Sequence, residues 1–276
     1  MHIQLLSDLH LEVERPAAGQ EANGGGDLYK FDFPARADYL ALLGDIGTTV
    51  EDRLFAWIRI QLERFEIVFY VAGNHEPHWS TLDASYACLE AFAAACAKDA
   101  ASTSGDGPSL GRFVLLNRTR YDLSPNVTVL GCTLWARLDP DKLDVLESSL
   151  NDFRCIRGFD AAAYQAAHER DAPWLEQAVT DIARNEPHRR VVIMDHTMRR
   201  RSGTADPKYE GGPTTSAFAT EMVGGAVWMA KVVRVWMFGH THWCCDFVRE
   251  GVRAVSNQRG YKDGARGFTP EKVVEL

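Results

Sequence analysis

The 276-residue chain carries 30 Lys and Arg against 38 Asp and Glu, for a formal net charge of -8, and 46% of its residues are hydrophobic. That length holds one large domain or two small ones with a sizeable core, and the acidic balance argues against stable nucleic-acid binding, whose footprint would be basic. The six cysteines lack zinc-finger or disulfide spacing, no apolar run approaches bilayer length and no signal-peptide pattern is visible, so a cytoplasmic protein with no membrane contact is expected.

Short apolar runs at 2–6, 39–43 and 67–71 are rich in β-branched and aromatic residues and read as buried strands. An amphipathic helix from Asp52 to Glu63 lies between the second and third, and strands alternating with helices imply a parallel sheet covered on both faces. Between the first two strands, Pro16 to Pro34 contains Asn23-Gly24-Gly25-Gly26 and reads as a surface insertion. An Ala-rich helix over 81–101 ends at the breaker cluster 102–108. Strands at 113–116, 120–123 and 127–131, separated by turn residues such as Ser124-Pro125-Asn126, predict antiparallel pairing. Helices over 141–150 and 160–184 precede a strand at 190–194, and a helix near 215–230 precedes one at 234–238. Strands near 244–249, 252–256 and 272–275 close the chain. With no internal repeat and no linker rich enough to split it, 1–276 reads as one domain with two sheets.

Five of these strands run directly into polar clusters. They are Asp8-Leu9-His10, Gly44-Asp45, Gly73-Asn74-His75-Glu76, Asp195-His196 and Gly239-His240-Thr241-His242. Taken singly, a D-x-H triplet or a histidine after a strand reads as an ordinary turn or a satisfied structural residue. Together they are a set of Asp, Asn and His donors suited to hard or borderline divalent metals.

In this order the clusters resemble the pattern of the calcineurin-like metallophosphoesterase superfamily: D-x-H, G-D, G-N-H-[D/E], a lone H, and G-H-x-H. The resemblance spans residues 8 to 242. It implies an α/β fold, a four-layered α/β/β/α sandwich of two mixed sheets flanked by helices, with the site at the strand ends. By the same resemblance Asp8, His10 and His242 hold one metal, Asn74, His196 and His240 hold the other, and Asp45 bridges both. His75 binds no metal in this pattern and approaches the phosphate or the leaving-group oxygen.

The chemistry explains why such residues are needed. Phosphoester hydrolysis requires a hydroxide at neutral pH, neutralisation of charge on the phosphoryl oxygens and help for the departing alkoxide. Two ions roughly 3.5 to 4 Å apart, with a bridging hydroxide as nucleophile, meet the first two demands. A bridging carboxylate such as Asp45 offsets part of their repulsion. Protonation of the leaving oxygen by His75 would contribute about 10²- to 10⁴-fold, with Glu76 either orienting His75 or capping the turn. A donor set without thiolate suits Mn, Fe, Zn or Mg, and the resemblance favours Mn. Adjacent Cys244 and Cys245 lack ligand spacing.

Two departures bear on the site and its substrate. Superfamily members often have two consecutive histidines followed by proline where this chain reads Asp195-His196-Thr197-Met198, which makes Asp195 the alternative ligand to His196. The protein-phosphatase pattern G-D-x-V-D-R-G is also absent, since Gly44-Asp45-Ile46-Gly47-Thr48-Thr49 lacks the later Asp and Arg. This points to a small phosphodiester or nucleotide-like ester rather than a phosphoprotein, contacted by Asn74, His75 and Arg199 of the Arg199-Arg200-Arg201 loop. The turn Ser256 to Tyr261 resembles an N-x-R-G-Y turn of some members and is expected to line the pocket. The alternatives are a phosphomonoesterase and a catalytically silent scaffold of the same fold.

Overall fold

The computed structural model describes residues 1–13, 28–102, 110–197, 203–209, 211–218, 225–261 and 264–276. Strands β1 (His2–Leu6) and β2 (Tyr39–Leu43) each bury four consecutive residues, as strands covered on both faces must. Helix α1 (Asp52–Leu62) buries Leu54, Trp57, Ile58, Gln61 and Leu62, one stripe at helical spacing. It leads to β3 (Ile67–Val71), then α2 (Leu82–Ser102), then β4 (Arg112–Leu115). Strands β5 (Thr119–Ser124) and β6 (Val127–Gly131) form a hairpin. Helices α3 (Leu143–Ser149), α4 (Asp152–Cys155) and α5 (Ala161–Asn185) follow, and the Asp160 side chain caps α5 by accepting from the Ala163 N–H. After β7 (Arg190–Met194) come two single turns of helix, α6 (Thr215–Phe218) and α7 (Ala226–Met229). Strands β8 (Val233–Phe238), β9 (Cys245–Arg249), β10 (Val252–Ser256) and β11 (Val273–Glu275) complete the chain.

Two mixed sheets result, ordered β11-β1-β2-β3-β4 and β5-β6-β7-β8-β10-β9. Their facing surfaces share one apolar layer, in which Ile3, Leu5, Ala41 and Phe69 pack with Val129, Val192, Met194 and Val235. The outer face of the first sheet packs on α1 and α2 through Leu42, Trp57, Leu89 and Phe92. The outer face of the second packs on α5 and α7 through Ile193, Leu175, Trp228 and Trp236. The layers are thus helix, sheet, sheet, helix, as expected.

Three details depart from the sequence reading. The strand read at 113–116 is not part of an antiparallel set. As β4 it pairs parallel with β3, because α2 is long enough to serve as the crossover that parallel pairing needs. The helix expected over 215–230 is absent as a continuous element; Gly225 has extended backbone and starts α7 afresh, and 219–224 lie outside the described residues. Helix α4 was not foreseen. Among the described residues, no helix is long and apolar enough to cross a membrane.

One polar contact ties the two sheets together at their rim. Asp246 on β9 accepts from Arg253 on β10 at 2.9 and 2.8 Å and from Lys272, just before β11, at 2.7 Å. These cations, Arg253 foremost, outweigh partial burial and hold the carboxyl at about 2. Its stabilisation is present above the ordinary value of 3.8 and is lost as pH falls through about 2. Asp246→Asn is therefore expected to lower urea stability by about 0.5–1 kcal/mol at pH 7, allowing for solvent screening, with the difference from wild type shrinking below the ordinary value of 3.8 and lost as pH falls through about 2.

Candidate metal centre

The polar clusters meet because their strands are parallel and end at one rim. Backbone bonds lock the turns together: Asp8 N–H donates to Gly44 O at 3.0 Å, His10 N–H to Asp45 O at 2.9 Å, and Gly260 N–H to Asp8 O at 3.0 Å. Each turn is sharp. Asp8, His10, Asp45, His240 and His242 all have left-handed backbone, with φ between 45° and 72°. Asp and His tolerate this better than branched residues, but it still costs energy, so it marks positions the fold holds for a purpose. Glycines make room beside them. A Cβ on Gly44 would lie 2.0 Å from His196 Nδ1, and one on Gly73 would lie 2.3 Å from Asp45 Oδ1.

Two groups of donors form around this rim and a third joins them. Asp8, His10 and His242 make the first, and Asp45, His196 and His240 make the second, with candidate ligand atoms in each group all within 4.8 Å of one another. The third combines His10, Asp45 and His75 on the same limit. Asp45 faces both main groups, with Oδ1 at 3.3 Å from His196 Nε2 and Oδ2 at 4.0 Å from His10 Nε2. Asn74 Oδ1 lies 3.1 Å from His196 Nε2, while its Nδ2 donates to Asp152 at 2.9 Å, which turns the amide oxygen inward. In the first group, Nε2 of His10 and of His242 approach to 3.0 Å, and Asp8 Oδ1 is 3.5 Å from His242 Nε2.

Electrostatics match a site built for cations. Burial, with His196 next to one and His10 next to the other, pushes His240 and His242 down to about 3, leaving neutral rings with lone pairs. Burial would raise Asp45, but His196, His75 and His10 outweigh it and hold the carboxyl well below its usual range. His196 is the converse: burial would lower it, yet Asp45 holds it up at about 10. Burial raises Asp8 to about 7. The concentration of carboxylates and neutral imidazoles on one buried point fits two divalent ions with oxygen and nitrogen ligands.

His196 and Asp195 face opposite ways, as neighbours at a strand end do. His196 points into the cluster, its Nδ1 donating to Leu43 O at 3.1 Å. Asp195 points to the far side, where Trp236 Nε1 donates to it at 2.6 Å, and burial raises its carboxyl well above the usual range. Cys244 contacts the Gln258 backbone and Cys245 contacts Ser256; neither joins a ligand group among the described residues. Arg199 and its loop, and 16–27 of the insertion, lie outside the described residues.

Glu76 does not orient His75. Its buried carboxylate accepts from the N–H groups of Asp45 (3.1 Å), Ile46 (3.0 Å) and Gly73 (2.7 Å) and from Tyr70 Oη (2.8 Å). It buckles the β2 turn to the β3 turn, the turn-capping alternative on a larger scale. His75 is held instead by residues the motif pattern does not contain. Glu12 accepts from its Nδ1 at 2.9 Å, and the Tyr261 hydroxyl lies 2.9 Å from its Nε2. With both ring nitrogens engaged, His75 belongs to the third group and lies outside the two main ones. Glu12 two residues past D-x-H was the available signal; Asp152 had none, being far away in sequence.

The site opens into a cavity of about 660 Å³, walled by Phe218, Pro213, Thr214 and Tyr261 and floored by Asp45, Asn74, His240 and His242. A smaller cavity of about 230 Å³ beside α2 and α5 touches none of these residues.

This arrangement is the calcineurin-like metallophosphoesterase fold. The chain superimposes on a phosphopantetheinyl hydrolase from Mycobacterium tuberculosis with a TM-score of 0.62 and 14% identity, over 94% of this chain and 89% of the other. For a dimetal phosphatase from Danio rerio the TM-score is 0.55 and the identity 16%, over 98% and 89%. A 5'-nucleotidase structure from Staphylococcus aureus gives 0.50 and 13%, over 93% of this chain and 48% of that one. In sequence, the chain is 25% identical over 283 residues to the uncharacterised protein L509 of Acanthamoeba polyphaga mimivirus, covering 99% of this chain and 96% of that one. No family model matches the chain.

Two substitutions test the scaffold of the site. Gly73→Ala drives a methyl group into Asp45 and His196; it is expected to destabilise by about 1–3 kcal/mol and to lower the content of bound divalent metal measured by mass spectrometry, and unchanged metal content would contradict the cradle. Glu76→Gln replaces an acceptor with an amide facing N–H groups. It should cost about 2–4 kcal/mol in denaturant titration.

Proposed function

We propose that the protein is a dinuclear metal-dependent phosphoester hydrolase acting on a small or nucleotide-like phosphodiester. The observation that carries this reading is that Asp45 faces both main donor groups, 3.3 Å from His196 of one and 4.0 Å from His10 of the other, while its Oδ1 accepts the backbone N–H of His75. In this reading Asp8, His10 and His242 hold one ion, Asn74, His196 and His240 the other, and Asp45 belongs to both. Mn is favoured, with Fe, Zn or Mg as alternatives. Such ions supply charge neutralisation at the phosphoryl oxygens and a nucleophilic water at neutral pH.

The chain's own residues do the rest. Asp45 Oδ1 accepts the His75 backbone N–H at 2.9 Å, so the carboxylate that joins the two groups also fixes the histidine beside them. His75 Nε2, facing the Tyr261 hydroxyl at the cavity wall, holds a proton where a leaving oxygen would depart. Asn74 and His75 contact the phosphoryl group, and Arg199 remains a proposed anion contact. The cavity is of a size that takes an organic ligand well beyond a phosphoryl group, which fits a small organic phosphoester.

A phosphomonoesterase is the second reading, favoured by the names of two structural neighbours, a phosphatase and a nucleotidase. The scaffold reading gives no chemical use to a histidine held at both nitrogens beside two donor groups.

Hydrolysis of bis(p-nitrophenyl) phosphate and p-nitrophenyl phosphate by metal-stripped protein, before and after adding Mn, separates these readings. Mn-dependent turnover favouring the diester is expected. Preference for the monoester would promote the second reading, and no turnover with any divalent ion in folded protein would favour the scaffold. Asp45→Asn should impair metal loading, whereas His75→Ala should retain metal and slow turnover by about 10²- to 10⁴-fold. Equal metal loss in both variants would contradict the separate roles.

A further inference from the structure

Glu12 belongs to none of the strand-end clusters, yet its carboxylate lies between two of them. One oxygen, Oε1, sits 3.1 Å from Nδ1 of His10 and 2.9 Å from Nδ1 of His75. Among the described residues the other oxygen, Oε2, is buried with no hydrogen-bond partner. A residue that merely satisfied two histidines would use both oxygens. Using one and leaving the other buried and unpaired is costly, which marks the shared contact as a constraint of the site.

The shared oxygen has a chemical consequence. An ionised carboxylate only accepts, so both rings donate to it from Nδ1. Each then presents Nε2 elsewhere: His10 toward His242 at 3.0 Å, and His75 toward the Tyr261 hydroxyl at 2.9 Å. The two rings are held edge to face, with centroids 4.5 Å apart and planes at 71°. Outer carboxylates commonly fix a metal-binding histidine in this way. Here one atom fixes the ligand and the neighbouring acid together.

We propose that Glu12 is a positioning residue that couples one metal site to the leaving-group histidine. By receiving both Nδ1 protons on one oxygen, it aims Nε2 of His10 at the metal and Nε2 of His75 at the departing oxygen, and it fixes their separation. The inference deepens the phosphohydrolase reading and rests on it only for the turnover measurement below.

Glu12→Ala removes the acceptor, whereas Glu12→Gln keeps a carbonyl oxygen that can accept both protons. In Zn-loaded protein, the downfield Nδ1–H proton of His75 is expected in wild type and Glu12→Gln and should be lost in Glu12→Ala. By calorimetry, Mn affinity should fall about 10- to 100-fold in Glu12→Ala and largely recover in Glu12→Gln. On bis(p-nitrophenyl) phosphate at saturating Mn, Glu12→Ala should lower kcat with little change in KM. A wild-type His75 resonance or wild-type Mn affinity in Glu12→Ala overturns the coupling, as does Glu12→Gln proving as damaging as Glu12→Ala. If wild type has no turnover, the phosphohydrolase reading fails, while the resonance and Mn affinity still decide the role of Glu12.

Discussion

Asp45 is 2% exposed, and a carboxylate so far from water must have its charge answered by its surroundings. The imidazoles of His10 and His196, from the β1 and β7 turns, and the backbone N–H of His75 in the β3 turn answer it. That requirement organises the rest. The turns must approach closely enough for the imidazoles to reach one side chain, so Gly44, Gly73 and Gly239 stand where a Cβ would collide with His196, Asp45 or Asp8. The backbone must also curl back on itself, which places five of the donor residues in left-handed conformation. Glu76 binds the β2 turn to the β3 turn through three N–H groups. The sandwich supplies rigidity from below, since its shared apolar layer fixes the two sheets whose ends carry the turns.

Much of this was legible in the sequence because both periodicity and motif order are local signals. The buried runs ending in Asp8, Asp45, Asn74 and His196 gave β1, β2, β3 and β7 with the observed bounds. Their clusters converge as the ordered pattern implied. The partner of β4 was not legible, because strand direction depends on where α2 delivers the chain and not on the composition of Arg112–Leu115. The break between α6 and α7 escaped because a helical pattern of apolar residues continues on both sides of Gly225.

The supporting residues of the site were the least legible part. Asp152 reaches Asn74 from α4, 78 positions away, and Tyr261 reaches His75 across 186. No spacing rule connects such pairs; only the closed fold does. The choice between Asp195 and His196 could not be made from residue type, since either can bind a metal. It turns on which of two neighbours faces the rim and which faces Trp236, and that follows from the register of β7 against β8. Glu76 shows the reverse lesson. Its place in the motif suggested contact with His75, whereas its carboxylate turns inward to the backbone of the neighbouring loop.

In the function proposed above, these turns form two metal sites sharing Asp45. Anomalous diffraction from crystals of the Mn-loaded protein tests it directly. Two peaks are expected, one within ligand distance of Asp8, His10 and His242 and one of Asn74, His196 and His240, with Asp45 touching both. A single peak, or a second ion ligated by Asp195 in place of His196, would contradict it.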